Sequence, residues 1–94
     1  MSKEHCFYCF DTLVAHFDGR PVLEPTFEDS PYPLFVTWST TENTGAELIL
    51  RGCIGNFGAM PLHSGLKEYA LTSAFNDGRF PPIAKSELSS LVCG

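Results

Sequence analysis

"PLFVTWST" (residues 33–40) and "AELILRGCI" (46–54), joined by "TENTG" (41–45), decide how this chain folds. Both runs are β-branched and apolar, and the link between them is polar and contains glycine. They read as the two strands of an antiparallel hairpin. Side chains alternate across a strand, so Leu48, Leu50, Gly52 and Ile54 fall on one face and Glu47, Ile49, Arg51 and Cys53 on the other. Arg51 and Cys53 then point the same way, about 7 Å apart along the strand. Gly52, Gly55 and Gly58 follow in quick succession, which suggests that the hairpin ends near residue 55 in a flexible loop.

Beyond the hairpin, "LHSGLKEYALTSAFN" predicts a helix over 62–76, with Leu62, Leu66, Tyr69, Ala70, Ser73 and Ala74 as its inner stripe. Gly65 weakens its first turn. "DGRFPPI" (77–83) breaks it, "KSELSSL" (85–91) is long enough for a short helix, and "LVCG" begins a strand. On the other side, residues 20–33 hold Pro21, Pro25, Pro31 and Pro33 and form an extended connection. These prolines argue against pairing as a central strand. Residues 3–18 carry Cys6, Phe10, Leu13, Val14 and Phe17 at helical spacing, and Gly19 stands where a helix stops. The elements amount to an α+β chain, an antiparallel hairpin in a sheet flanked by helices.

Composition bounds the function. A chain of 94 residues with 44% hydrophobic and 18% charged residues is one small globular unit. Its net charge of −5, with no Lys/Arg cluster, disfavours a nucleic-acid backbone as partner. No apolar run reaches the roughly 20 residues that span a bilayer, and "MSKEHCFYCF" has no signal-peptide pattern. These features suggest an intracellular chain without membrane attachment, its four cysteines reduced.

The chemistry-bearing residues cluster around the glycines. Cys53 near Arg51, with a loop leading to His63 and Ser64, suggests a thiol of lowered pKa with His63 as general base. Free N–H groups of the Gly55–Gly58 loop would hold an oxyanion. The plainer reading makes Cys53 a small strand residue, with Gly52 and Gly55 allowing close packing. Arg51 and Arg79 could clamp a carboxylate or phosphate together; the plainer reading pairs Arg51 with Glu47, Glu68 or Asp77. The aromatic residues Phe57, Tyr69 and Phe80 with those two arginines offer a weaker, single-stranded nucleic-acid reading. "HCFYC" supplies one C-x-x-C pair, and a structural zinc site takes four ligands. Cys6 and Cys9 therefore read as packed thiols, and neither a metal nor a cofactor is expected.

Four segments together, "YPLFVTW", "LRGCIGNF", "LHSGLKEYALTSAFNDGRFPPI" and "SELSSLVC", resemble the AMMECR domain in order and spacing, with LRGCIG as its signature. "CFYCFDTLVAHFDG" looks like the eukaryotic branch. The resemblance implies an α+β two-layer sandwich with a second small lobe and a cleft lined by the hexapeptide. It also implies that this chain is the N-terminal half of a longer domain. It carries no agreed activity; it implies a nuclear or cytoplasmic regulatory or scaffold role through protein partners. An enzyme acting on a small anionic or nucleotide-like ligand is the alternative. The site residues to follow are Arg51, Gly52, Cys53, Gly55, His63, Ser64 and Arg79.

Overall fold

In the computed structural model, residues 2–41 and 47–94 are described. The expected hairpin link, apart from Thr41, lies outside them. Alternate residues of strand β1 (Pro31–Thr40) are buried from Leu34 onward: Leu34, Val36, Trp38 and Thr40. That period is what a strand covered on one face requires. β1 pairs antiparallel with β2 (Ile49–Pro61) on one side and with β3 (Leu91–Cys93) on the other, giving the order β2-β1-β3. Helices α1 (Lys3–Asp18) and α2 (Leu62–Phe75) pack on the buried face, and the chain is an α+β layer of helices on a sheet. Trp38 is fully buried at the centre. Its indole N–H donates to the Ala70 carbonyl of α2 at 3.0 Å, and Phe10 of α1 meets its ring edge-to-face at 4.9 Å.

The helices take the faces their chemistry allows. Ser2 caps α1 by accepting from the His5 N–H, while the His5 ring accepts from the Ser2 N–H. Gly19 ends it at φ 67°, its N–H donating to the Ala15 carbonyl. The deepest residues of α1 are Tyr8, Cys9, Thr12, Leu13 and Ala15, a stripe turned away from the one its spacing suggests. Thr12 enters the core because its hydroxyl donates to the Tyr8 carbonyl at 2.8 Å, leaving only its methyl to pack. In α2, Leu62, Gly65, Leu66, Ala70, Ser73 and Ala74 are buried, and Tyr69 is half-buried. The 3₁₀ helix Lys85–Ser90 then crosses to β3.

Three expectations about the hairpin need correction. β2 does not give way to a glycine loop at residue 55 but stays extended to Pro61, with Phe57, Gly58 and Ala59 bulged between the pairs Leu34–Asn56 and Tyr32–Met60. A second irregularity leaves Arg51 unopposed, because Ser39 faces Leu50 and Trp38 faces Gly52. One extra residue reverses the parity of everything before it, so Leu50 faces the outer side while Gly52 faces the helices. Finally, Pro31 and Pro33 do lie in the central strand. Odd-numbered positions of β1 direct their backbone groups away from β2: Thr37 exchanges both its bonds with Gly94, and Ser30, an even position, accepts from Leu62. Proline at 31 and 33 therefore removes no β1–β2 bond.

Candidate functional site

Cys53 lies opposite Thr37, whose N–H and C=O belong to the β3 side, so Cys53 turns its own backbone groups outward from β2. The turn after α2 receives them. Asp77 Oδ2 accepts from the Cys53 N–H at 3.1 Å, and Arg79 Nη2 donates to the Cys53 carbonyl at 3.3 Å. Arg79 also grips Asp77, Nη2 to Oδ2 at 2.7 Å and Nε to Oδ1 at 3.0 Å. A carboxylate and a guanidinium thus stand where a neighbouring strand would present a C=O and an N–H. The Arg79 guanidinium, and then the Cys53 N–H, hold the Asp77 carboxyl well below the usual carboxylate range.

Arg51 is held separately. It donates to Glu87 through Nη2 (2.9 Å to Oε2) and Nε (3.2 Å), and to the Pro81 carbonyl at 3.3 Å. Glu87 is not among the three partners the sequence suggests. The bulge at Arg51 carries it toward the segment 81–87, while the Cys53 thiol sits among the outer-face residues and accepts from the Thr37 hydroxyl at 3.1 Å. The two groups that alternation would place together therefore have different partners. Each arginine already faces a carboxylate, so they do not form a shared clamp.

His63 and Ser64 open α2 at the far end of β2. His63 Nε2 donates to the Phe27 carbonyl at 2.7 Å, and the His63 N–H donates to Asp29 Oδ1 at 3.0 Å. Asp29 thereby caps α2 from the proline-rich connection, since Pro61 offers no side chain for the purpose. Ser64 Oγ donates to the Pro61 carbonyl at 3.5 Å. Pro61 pairs with Pro31 and Cys53 with Thr37, which places the two ends roughly 20 Å apart at the usual rise of a strand. Cys53 and His63 form no catalytic pair, and Gly55 lies within the strand rather than in an oxyanion loop. Tyr69 belongs to the helical layer and Phe57 to the far side of the sheet, so no aromatic platform assembles from them.

The other cysteines gather where α1 meets β3. Cys6 Sγ donates to the Cys93 carbonyl at 3.3 Å, and Cys9 is fully buried. Burial, reinforced by Cys93, pushes the Cys6 thiol up to about 11. A hydrogen bond with Cys9, together with burial, pushes Cys93 up as well. Among the described residues no group of three or more His, Cys, Asp or Glu is arranged to hold a metal ion, and no helix is long and apolar enough to cross a membrane.

A concavity of about 470 Å³ lies elsewhere, between the start of β1, the start of α2, His5 and Phe27; none of the seven sequence candidates lines it. Sequence reasoning missed Thr37, Glu87 and Asp29, and offered Asp77 to Arg51 where the structure gives it to Arg79 and the Cys53 N–H. The "DGR" triplet was the available signal for that pairing: Asp77 and Arg79, two apart in a turn, reach the same strand position.

Comparison with known proteins follows the same lines. The sequence model of the AMMECR1 family matches residues 6–94. An uncharacterized protein of Arabidopsis thaliana is 53% identical over 98% of this chain and 42% of its own length. One from Kluyveromyces lactis is 41% identical over 99% of this chain and 46% of its own length. A crystal structure of an uncharacterized protein from Pyrococcus horikoshii superposes with a TM-score of 0.75 at 25% identity, covering 95% of this chain and 46% of that one. The chain thus spans less than half the length of these relatives.

Proposed function

The chain belongs to the AMMECR1 family, and from that premise we propose that it works through protein partners, in a regulatory or scaffolding role in the nucleus or cytoplasm. One observation carries this reading. Both helices cover the same face of the sheet, and the opposite face leaves Phe35 41% exposed, Phe57 86% and Val92 44%, with Phe35 and Phe57 in edge-to-face contact at 5.1 Å. Exposed apolar side chains on a sheet face that no helix covers suit docking in proteins that work by association.

What weighs against a catalytic thiol is its setting. Cys53 has a threonine hydroxyl as its neighbour, its histidine lies at the other end of the strand, and both nearby guanidinium groups are paired. In this reading the LRGCIG segment is a joint that fastens the chain segment 77–90 onto β2. The polar groups of the segment serve the fold, and the partner is met by the sheet face beside it.

A photo-crosslinking residue placed at Phe57, compared with one at Lys67 on the helical side, tests the reading in cells. A discrete polypeptide adduct at position 57, absent at 67 and lost when Val92→Glu is added, supports it. Identical adducts at both positions, or none at 57, sink it.

A further inference from the structure

Three of the four cysteines meet at one joint, although Cys6 and Cys93 are 87 residues apart in the sequence. Register explains how. Cys93 is the partner of Trp38 across the β1–β3 pair, and residues opposite each other in an antiparallel pair share a face. Cys93 therefore points with Trp38 toward the helices. On α1, Cys6 and Cys9 are three residues apart and lie on one side, one above the other. The Cys6 thiol donates to the Cys93 carbonyl at 3.3 Å, and the Cys93 thiol shares hydrogen bonds with the thiols of both Cys9 and Cys6. Their exposure differs: Cys9 is fully buried, whereas Cys6 and Cys93 are half-buried. Cys53 keeps to the other face of the sheet, beside the Thr37 hydroxyl. These contacts join segments that the fold already brings together, so the joint needs neither an open strand edge nor an uncovered face.

We infer that Cys6 and Cys93 are a redox pair: a peroxide oxidises Cys6, Cys93 resolves it, and the resulting disulfide staples α1 to β3. In the first step the Cys6 sulfur takes one oxygen from hydrogen peroxide, giving the sulfenic acid and releasing water. In the second, the Cys93 sulfur attacks that sulfur and the S–O bond breaks. The departing hydroxyl leaves with the Cys93 proton as a second water. The two thiols have lost two electrons and two protons, and the peroxide has become two waters. Because a resolving thiol already stands against Cys6, the sulfenic acid is trapped before a second peroxide carries it to the irreversible sulfinic acid. Burial pushes the Cys6 thiol up to about 11. Thiolate is scarce at neutral pH, and the first step is therefore slow, so the pair answers sustained rather than passing oxidant. The staple closes a loop of nearly the whole chain, which restricts the unfolded state. It also fastens β3, a strand of three residues, against α1. The pair acts whatever the opposite sheet face meets.

The test treats the reduced 94-residue chain with hydrogen peroxide, in a Cys53→Ser background so that no linkage starts from the outer face. Remaining thiols are then blocked in denaturant and the linkage is mapped by mass spectrometry. The expected product is a monomer lighter by two hydrogens, with Cys6 joined to Cys93 and Cys9 free. Its urea midpoint lies above that of the reduced chain, and dithiothreitol restores the original value. Cys6→Ala forms any link to Cys93 at least about tenfold more slowly, because the remaining route starts at a fully buried thiol. In Cys93→Ala, dimedone labels Cys6 as the unresolved sulfenic acid. Cys9→Ala, which also empties part of the joint, still forms the Cys6–Cys93 link and so separates lost packing from lost chemistry. Consumption of thiols without that link overturns the proposal, as does linkage of Cys6 to Cys9. A link to Cys93 that forms as fast without Cys6, or that appears only in urea, overturns it too. So does an oxidised chain no more stable than the reduced one.

Discussion

A methyl group at position 52 would collide with the Ser73 carbonyl, because α2 lies directly on β2 at this point. The residue type is therefore set by packing between two backbones. Gly52→Ala should lower stability by about 1–3 kcal/mol through forced separation of helix and strand, read as a fall in the urea midpoint at unchanged slope. The thiols at the α1–β3 joint make a second prediction at this scale. Cys6 and Cys93 both titrate above their ordinary value of 9.0 in the folded chain. The fold thus favours the neutral thiol, and the contribution is full below pH 9 and fades as pH rises toward about 11. Urea midpoints measured from pH 8 to 11 should decline, and less steeply in the Cys6→Ala, Cys93→Ala double variant. An identical slope in the two proteins would refute the assignment.

Among elements, the segment 77–90 matters most, because it shields an edge that would otherwise pair with another chain. Asp77 and Arg79 occupy the backbone groups of Cys53, and Glu87 holds Arg51 at the bulge. Asp77 is depressed by Arg79 and by the Cys53 N–H, so its contribution is present above the ordinary carboxylate value of 3.8 and is lost as pH falls below it. Asp77→Asn should be less stable than the parent at pH 7 and should lose less on acidification from pH 5 to 2, followed by circular dichroism. Glu87→Gln weakens a charge-assisted pair whose side chains are only 13% and 22% exposed, at a cost of about 1–2 kcal/mol. Asp29 does for α2 what Ser2 does for α1. Asp29→Ala should cost about 1 kcal/mol, measured by thermal unfolding, and should loosen the proline-rich connection that it anchors.

For the whole molecule, the decisive fact is that the helices share one face of the sheet. Phe57, at 86% exposure, contributes little to the core. Phe57→Lys should change stability by no more than about 0.5 kcal/mol while reducing binding of a hydrophobic dye in a fluorescence titration. A large loss of stability would mean that the bulge at Phe57–Ala59 is structural and that the face is not free. The two ends of β2 also explain why the cysteine and histidine that sit close in sequence never meet. An extended strand is the longest path a chain can make between two residues, and the glycines that suggest a loop lie inside it.

Periodicity and punctuation alone were enough for the α+β class, the helix over residues 3–18, the buried stripe of α2 and the strand that begins at Leu91, because each depends on neighbours within a few residues. The family was legible too, from the order of its motifs. Tertiary structure alone decided the partners of Arg51 and Arg79, the face of Leu50, and the place of Pro31 and Pro33 in a central strand. A single bulged residue inverts strand parity, and which edge of a strand is occupied depends on elements tens of residues away. Such choices arise from packing between distant segments, and alternation within one segment has no means of recording them.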